Sequence, residues 1–220
     1  MIKIAPSILA ADPLHLGQDV RRAVDAGCDW IHVDVMDAHF VPNLAYTPDT
    51  VKCLHEEFDI PLDVHLMMTD PETLLDAFLR AGASSVTVHA EISGDVNRLL
   101  EKIHSAGALA GVALKPGTPA EAALPYFHTA DLLLAMTVEP GFGGQKLDPA
   151  VLRKIRALRD LGYRGEIEAD GGIRPDNLQL LMDRGLTVAV MGTALFRCGD
   201  MRAVVDELHR MQPNPLQEKE

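Results

Sequence analysis

Between Trp30 and Met36, apolar Ile31, Val33 and Val35 alternate with His32, Asp34 and Met36. That is the two-residue period of a strand, and it puts the imidazole of His32 and the carboxylate of Asp34 on one side. The alternation returns over Pro61–Met67, where His65 takes the corresponding place, and over Glu166–Asp170, which ends in a lone carboxylate before Gly171 and Gly172. Lys3–Leu9, Ser85–Ala90, Leu109–Lys115, Leu132–Val138 and Val188–Met191 read as further strands. Between them, helical spacing runs over Leu14–Ala26, Asp49–Phe58, Asp95–Ala106, Asp148–Asp160, Pro175–Arg184 and Asp200–Met211. Asp70-Pro71-Glu72 opens another helix, with Asp70 as its expected N-cap, and Thr118-Pro119-Ala120-Glu121 looks like one more capped start. Gly27, Gly82, Gly107, Gly162 and Gly185 stand where helices should stop.

Eight short strands alternating with eight amphipathic helices predict an α/β fold in which eight parallel strands close into a single (β/α)8 TIM barrel. The catalytic domain is expected over residues 1–212, followed by a polar tail at 213–220. An open doubly wound sheet fits less well. No GxGxxG follows the first strand, and polar groups sit at the C-terminal ends of many strands instead of around one switch point. A barrel gathers those ends at one mouth.

At such a mouth His32, Asp34, His65 and Asp170 converge. Two imidazoles and two carboxylates suit one divalent first-row ion, Zn, Fe, Mn or Co, without choosing among them. His39, His89 and Asp37 are close enough in sequence to support those groups from behind. Gly141, Gly143 and Gly144 around Phe142, then Gly171 and Gly172, then Gly192 before Thr193, follow the last three strands. Backbone N–H groups can close on an anion where no side chain intrudes, so these loops read as a phosphate cradle. Met36, Met67 and Met136 end strands and suit either packing at the mouth or a soft apolar cover over a bound intermediate.

The net charge of −12 over 220 residues excludes nucleic acid and anionic membrane as natural partners. An anionic substrate must then be held by local geometry. Cys28, Cys53 and Cys198 are odd in number and form no CxxC pair, so no disulfide framework is expected. No apolar run reaches the roughly 18 residues that span a bilayer. Met1-Ile2-Lys3-Ile4 runs directly into a strand, so a cytoplasmic protein is expected.

Pro6-Ser7-Ile8-Leu9, His32-Val33-Asp34-Val35-Met36-Asp37 with His39-Phe40-Val41-Pro42-Asn43, Asp63-Val64-His65-Leu66-Met67, Met136-Thr137-Val138-Glu139-Pro140-Gly141-Phe142-Gly143-Gly144-Gln145 and Asp170-Gly171-Gly172-Ile173 resemble, in order, the motifs of the ribulose-phosphate 3-epimerase family. The resemblance implies an isomerase that interconverts D-ribulose 5-phosphate and D-xylulose 5-phosphate. It implies proton transfer at C3 by two bases through a metal-stabilised 2,3-enediolate, in the pentose phosphate pathway. His32, Asp34, His65 and Asp170 would be metal ligands, and Asp34 and Asp170 also the acid/base pair. Ser7, His65, Gly141, Phe142, Gly143, Gly144, Asp170, Gly171, Gly172, Gly192 and Thr193 would touch the phosphosugar substrate, with Met36, Met67 and Met136 capping the intermediate. A homo-oligomer, dimer or hexamer, is also implied. The chain departs from the family pattern at Ala38, Tyr46-Thr47-Pro48, Ala169 and Thr193. Because residues 38–48 border the mouth, a ketohexose 6-phosphate such as D-allulose 6-phosphate is the alternative substrate.

Overall fold

The computed structural model describes residues 1–214, so most of the expected tail, residues 215–220, lies outside the described residues. Nine strands form one sheet: β1 (Lys3–Pro6), β2 (Ile31–Asp37), β3 (Leu44–Ala45), β4 (Leu62–Met67), β5 (Ser85–His89), β6 (Leu109–Leu114), β7 (Leu132–Met136), β8 (Glu166–Asp170) and β9 (Val188–Met191). Their order is β1-β9-β8-β7-β6-β5-β4-β2-β3. Every pairing is parallel except β2 with β3. The ends of the parallel run approach each other, since Ser7 and His32 form an isolated parallel bridge between β1 and β2. The result is a curled, mainly parallel α/β sheet covered by helices.

The helices are α1 (Leu16–Ala26), α2 (Pro48–Glu57), α3 (Glu72–Arg80), α4 (Val96–Ser105), α5 (Val151–Asp160), α6 (Pro175–Met182), α7 (Thr193–Phe196) and α8 (Met201–Arg210). Asp95 and Asp200 cap α4 and α8 by accepting the amides of Arg98 and Ala203. None of the described helices is long and apolar enough to cross a membrane.

Three expectations need correction. The eight expected parallel strands are joined by a ninth, because β3 folds back antiparallel on Met36 and Asp37 within a loop that breaker residues disguised. The helix expected after Thr118 is a 3₁₀ stretch, Ala120–Tyr126, since Pro125 inside it lacks an N–H and its ring obstructs an α-helical turn. Asp70 does not cap α3. The cap position is Pro71, and the Asp70 carboxylate accepts the Thr73 hydroxyl at 2.9 Å. The four-residue α7 had no periodicity by which to be read.

Alternation along the strands splits the interior into two layers. Ile31, Val33 and Val35 of β2, Leu62, Val64 and Leu66 of β4, and Ile167 and Ala169 of β8 face the helices within the large apolar core. Ala5, Ala113, Leu132, Leu134, Met136, Val188 and Val190 make a smaller apolar cluster on the other face. The remaining positions on that inner face carry His32, Asp34, Asp63, His65, Ser85, Thr87 and Glu168, all buried. Register stacks them in rows, with His32 beside Asp63, Asp34 beside His65 and Met36 beside Met67. Gly111 of β6 lies opposite Thr87, where a Cβ would stand 2.1 Å from the Thr87 hydroxyl oxygen. Gly111→Ala should therefore destabilise the fold by about 1–3 kcal/mol through overpacking. Adding Thr87→Ala should recover most of the loss, as a double-mutant cycle by thermal denaturation will read.

Candidate active site

Asp34, near the C-terminal end of β2, is the hub. Its Oδ2 accepts the Ser7 hydroxyl at 2.6 Å. Its Oδ1 stands 3.3 Å from His32 Nε2 and 3.3 Å from His65 Nδ1. With a carboxylate oxygen of Asp170, these groups offer four ligand atoms within 4.8 Å of one another. The two imidazoles present opposite nitrogens, and each has its second nitrogen engaged behind. His32 Nδ1 meets Asp63 Oδ2 at 2.6 Å, and His65 Nε2 meets His89 Nε2 at 2.9 Å. Orientation of both rings from behind, with imidazole nitrogens and carboxylate oxygens converging in front, fits a divalent transition metal.

Electrostatics divide the carboxylates. Burial works to raise the Asp34 carboxyl, but the charge and hydrogen bond of His32 outweigh it and hold Asp34 far below the usual carboxylate range. Asp170 is pushed up to about 7, first by burial and then by the negative charge of Asp34. One carboxylate therefore favours its ionised form beside one whose proton is held more tightly than usual. Burial works to lower His32, yet Asp34 and then Asp63 raise it well above the ordinary imidazole value. Burial lowers His65, and it lowers His89 to about 4. Glu168 lies beneath, fully buried, with both carboxyl oxygens lacking a hydrogen-bond partner. Burial and the charge of the neighbouring Asp63 push its carboxyl well above the ordinary carboxylate value.

Above the cluster opens a cavity of about 750 Å³. Ser7, Asp34, Met36, Met67, Met136, Gly141, Phe142, Gly143, Gly144, Asp170, Gly171, Gly172, Gly192 and Thr193 all line it. His32 and His65 do not reach it; they are fully buried under Asp34. Gly172 has φ +65, and a Cβ there would stand 2.3 Å from the Leu147 amide nitrogen. Two loops thus touch through bare backbone. Gly192 precedes α7, whose first amides have no intrahelical acceptor.

Of the supporting residues expected from sequence, His89 does back His65. His39 does not, because it is exposed and its ring bonds the Asp37 carbonyl. Asp37 serves the loop instead, accepting the amides of His39, Phe40 and Thr69 at 2.7–2.8 Å. Asp63, Glu168 and Glu91 were missed as members of the site. Asp63 and Glu168 had a signal, since the period that turns His65 and Asp170 inward turns residues two positions earlier inward too.

The family model described as the Ribulose-phosphate 3 epimerase family matches residues 3–196. The chain is 45% identical over 211 residues to "Ribulose-phosphate 3-epimerase" of Mycobacterium bovis, covering 94% of this chain and 91% of that one. It is 40% identical over 213 residues to "Ribulose-phosphate 3-epimerase" of Bacillus subtilis, covering 94% and 98%. Among solved structures, KGPDC from Streptococcus mutans shares the fold, with TM-score 0.72 at 16% identity over 95% of this chain and 98% of that one.

The raised Asp170 carboxyl has a consequence for metal-free protein. Between its unfolded value of about 3.8 and its folded value of about 7, the native state holds a proton that the unfolded chain has lost, so stability falls as pH rises through that window. After chelation, Asp170→Asn should melt higher than the parent at pH 8. The difference should vanish at about pH 4, as paired thermal melts will show.

Proposed function

The chain belongs to the ribulose-phosphate 3-epimerase family, and on that premise we propose how this site performs the reaction. The protein is an epimerase of carbohydrate metabolism that interconverts D-ribulose 5-phosphate and D-xylulose 5-phosphate. The observation that carries the assignment of roles is geometric: Asp34 and Asp170, from strands on different sides of the sheet, bring carboxylate oxygens into one cluster and both line the cavity.

Inverting C3 next to a ketone means removing a proton from one face and returning one to the other, so two acid/base groups are the minimum device. Asp34 starts as the base and Asp170 as the acid in one direction, and the roles exchange in reverse. Ser7 holds Asp34 Oδ2 by its hydroxyl, which fixes the carboxylate and leaves Oδ1 toward the cluster. His32, Asp34, His65 and Asp170 would hold one divalent ion, of identity not assigned among Zn, Fe, Mn and Co. When bound, it supplies Lewis-acid stabilisation for the negative charge of the 2,3-enediolate. Met36, Met67 and Met136 cover the reacting carbons with polarisable apolar surface, which keeps water from the carbanionic centre.

The phosphate end lies against Gly141–Gly144, Gly171, Gly172, Gly192 and Thr193. Bare backbone at these turns lets amides reach the anion in a protein whose net charge repels it. The Ser7–His32 bridge supports reading the sheet as closed into a single (β/α)8 barrel over residues 1–212. A homo-oligomer in the cytoplasm, with no nucleic-acid or membrane partner, completes the proposal.

Incubation with ribulose 5-phosphate in deuterated water tests the reaction. Xylulose 5-phosphate carrying deuterium at C3, seen by proton NMR, is the expected product. Absence of exchange at every carbon contradicts the assignment, and exchange only with D-allulose 6-phosphate moves it to the hexulose. Gly172→Ala should raise KM for the phosphosugar at least tenfold and leave C3 exchange detectable, since its Cβ would push the two phosphate loops apart.

A further inference from the structure

His65 is backed by a chain of hydrogen bonds that ends outside the cluster, on a carboxylate with no part in the two-base reaction. His65 Nε2 lies 2.9 Å from His89 Nε2, and His89 Nδ1 lies 3.0 Å from Glu91 Oε2. The other oxygen, Glu91 Oε1, accepts the Lys115 amide at 2.7 Å and the Thr118 hydroxyl. Phe40 lies against the His89 ring, 4.6 Å between centroids, and Lys115 Nζ sits 3.9 Å from the centroid of Phe40. Both histidines are fully buried.

Donor counting fixes the direction of this chain. Glu91 has two donors on one oxygen and is held ionised by His89, Thr118 and the Lys115 amide against the effect of burial, so it can only accept. His89 must therefore carry its proton on Nδ1. A neutral His89 then has a lone pair on Nε2, which must accept from His65 Nε2–H. A neutral His65 is left with its lone pair on Nδ1, facing Asp34 Oδ1 at 3.3 Å. A lone pair directed at a carboxylate oxygen repels unless a cation lies between them.

We infer that Glu91 is a positioning residue for the metal site: acting through His89, it locks His65 in the tautomer whose Nδ1 lone pair faces the cluster. The inference rests on the reading of His65 as a ligand. The β5 end and the turn after β6 thereby set the chemistry of a ring on β4. His32 is held from its other nitrogen, Nδ1, by Asp63.

Glu91→Gln separates this role from a merely structural one. The Gln carbonyl oxygen must serve Lys115 and Thr118, which turns its NH₂ toward His89 Nδ1. Each proton in the chain then moves to the other nitrogen, and N–H replaces the lone pair at His65 Nδ1. Glu91→Ala removes the constraint without reversing it. With the full chain, zinc affinity measured by chelator competition should fall about 10- to 100-fold in Glu91→Gln and less in Glu91→Ala. Long-range ¹H–¹⁵N NMR of zinc-loaded parent protein should show the His89 proton on Nδ1, and metal-free Glu91→Gln should show the His65 proton on Nδ1. Equal or greater loss in Glu91→Ala, or a His89 proton on Nε2 in the parent, overturns the relay. Failure of zinc to bind the parent contradicts the metal reading instead, and the parent's His89 tautomer still decides the relay if Glu91→Gln does not fold.

Discussion

The structure turns on one buried carboxylate. Asp34 is almost wholly removed from water, a placement that would cost several kcal/mol for an isolated anion. It is tolerated because the Ser7 hydroxyl donates to one oxygen and the His32 imidazole reaches the other, where His65 Nδ1 also converges. Each partner then needs its own support. His32 leans on Asp63, Asp63 on Ser85, and His65 on His89 and Glu91. Much of the polar half of the interior is thus a network built around Asp34, and an apolar cluster fills the rest of that face.

That dependence explains why the site is a row and not a patch. Parallel register places Asp34 beside His65 and Met36 beside Met67, so the strand that supplies the charge also supplies the cover above it. Asp170 comes from the far side, paired in register with Met136, and feels Asp34 mainly as a neighbouring negative charge. A carboxylate that must stay ionised raises the affinity of its neighbour for a proton, and a two-base reaction uses that asymmetry. The loops reinforce it from above. Asn43 Nδ2 donates to the Gly141 carbonyl at 2.7 Å, and Val41 packs where a Cβ on Gly141 would stand, so the loop after β2 is tied to the glycine-rich loop after β7. Ala38 and Tyr46, with φ of 60 and 41, absorb the turn that this tie demands.

Much of this was legible in the chain. Period-two alternation at Ile31–Met36 and Leu62–Met67 declared which side chains share a face, and helix-ending glycines set the βα rhythm. The cavity-lining set from Ser7 to Thr193 was readable because it consists of strand ends and glycine turns. Legibility stopped where long-range contact decides the outcome. Glu91 reads as an ordinary loop acid until the turn after β6 brings Lys115 and Thr118 to it. His39 stands next to the motif yet turns away, because Asp37 spends its acceptors on local amides. β3 was hidden because two residues carry no period.

The central claim is that Asp34 and Asp170 serve opposite faces of C3. The most direct measurement is the rate of C3 hydrogen exchange with deuterated water, starting separately from each of the two epimers, in Asp34→Asn and Asp170→Asn at saturating metal. The account predicts reciprocal defects: each variant keeps wash-out from the epimer whose base remains and loses it from the other. Equal loss from both epimers in both variants, or full exchange from both, would contradict it.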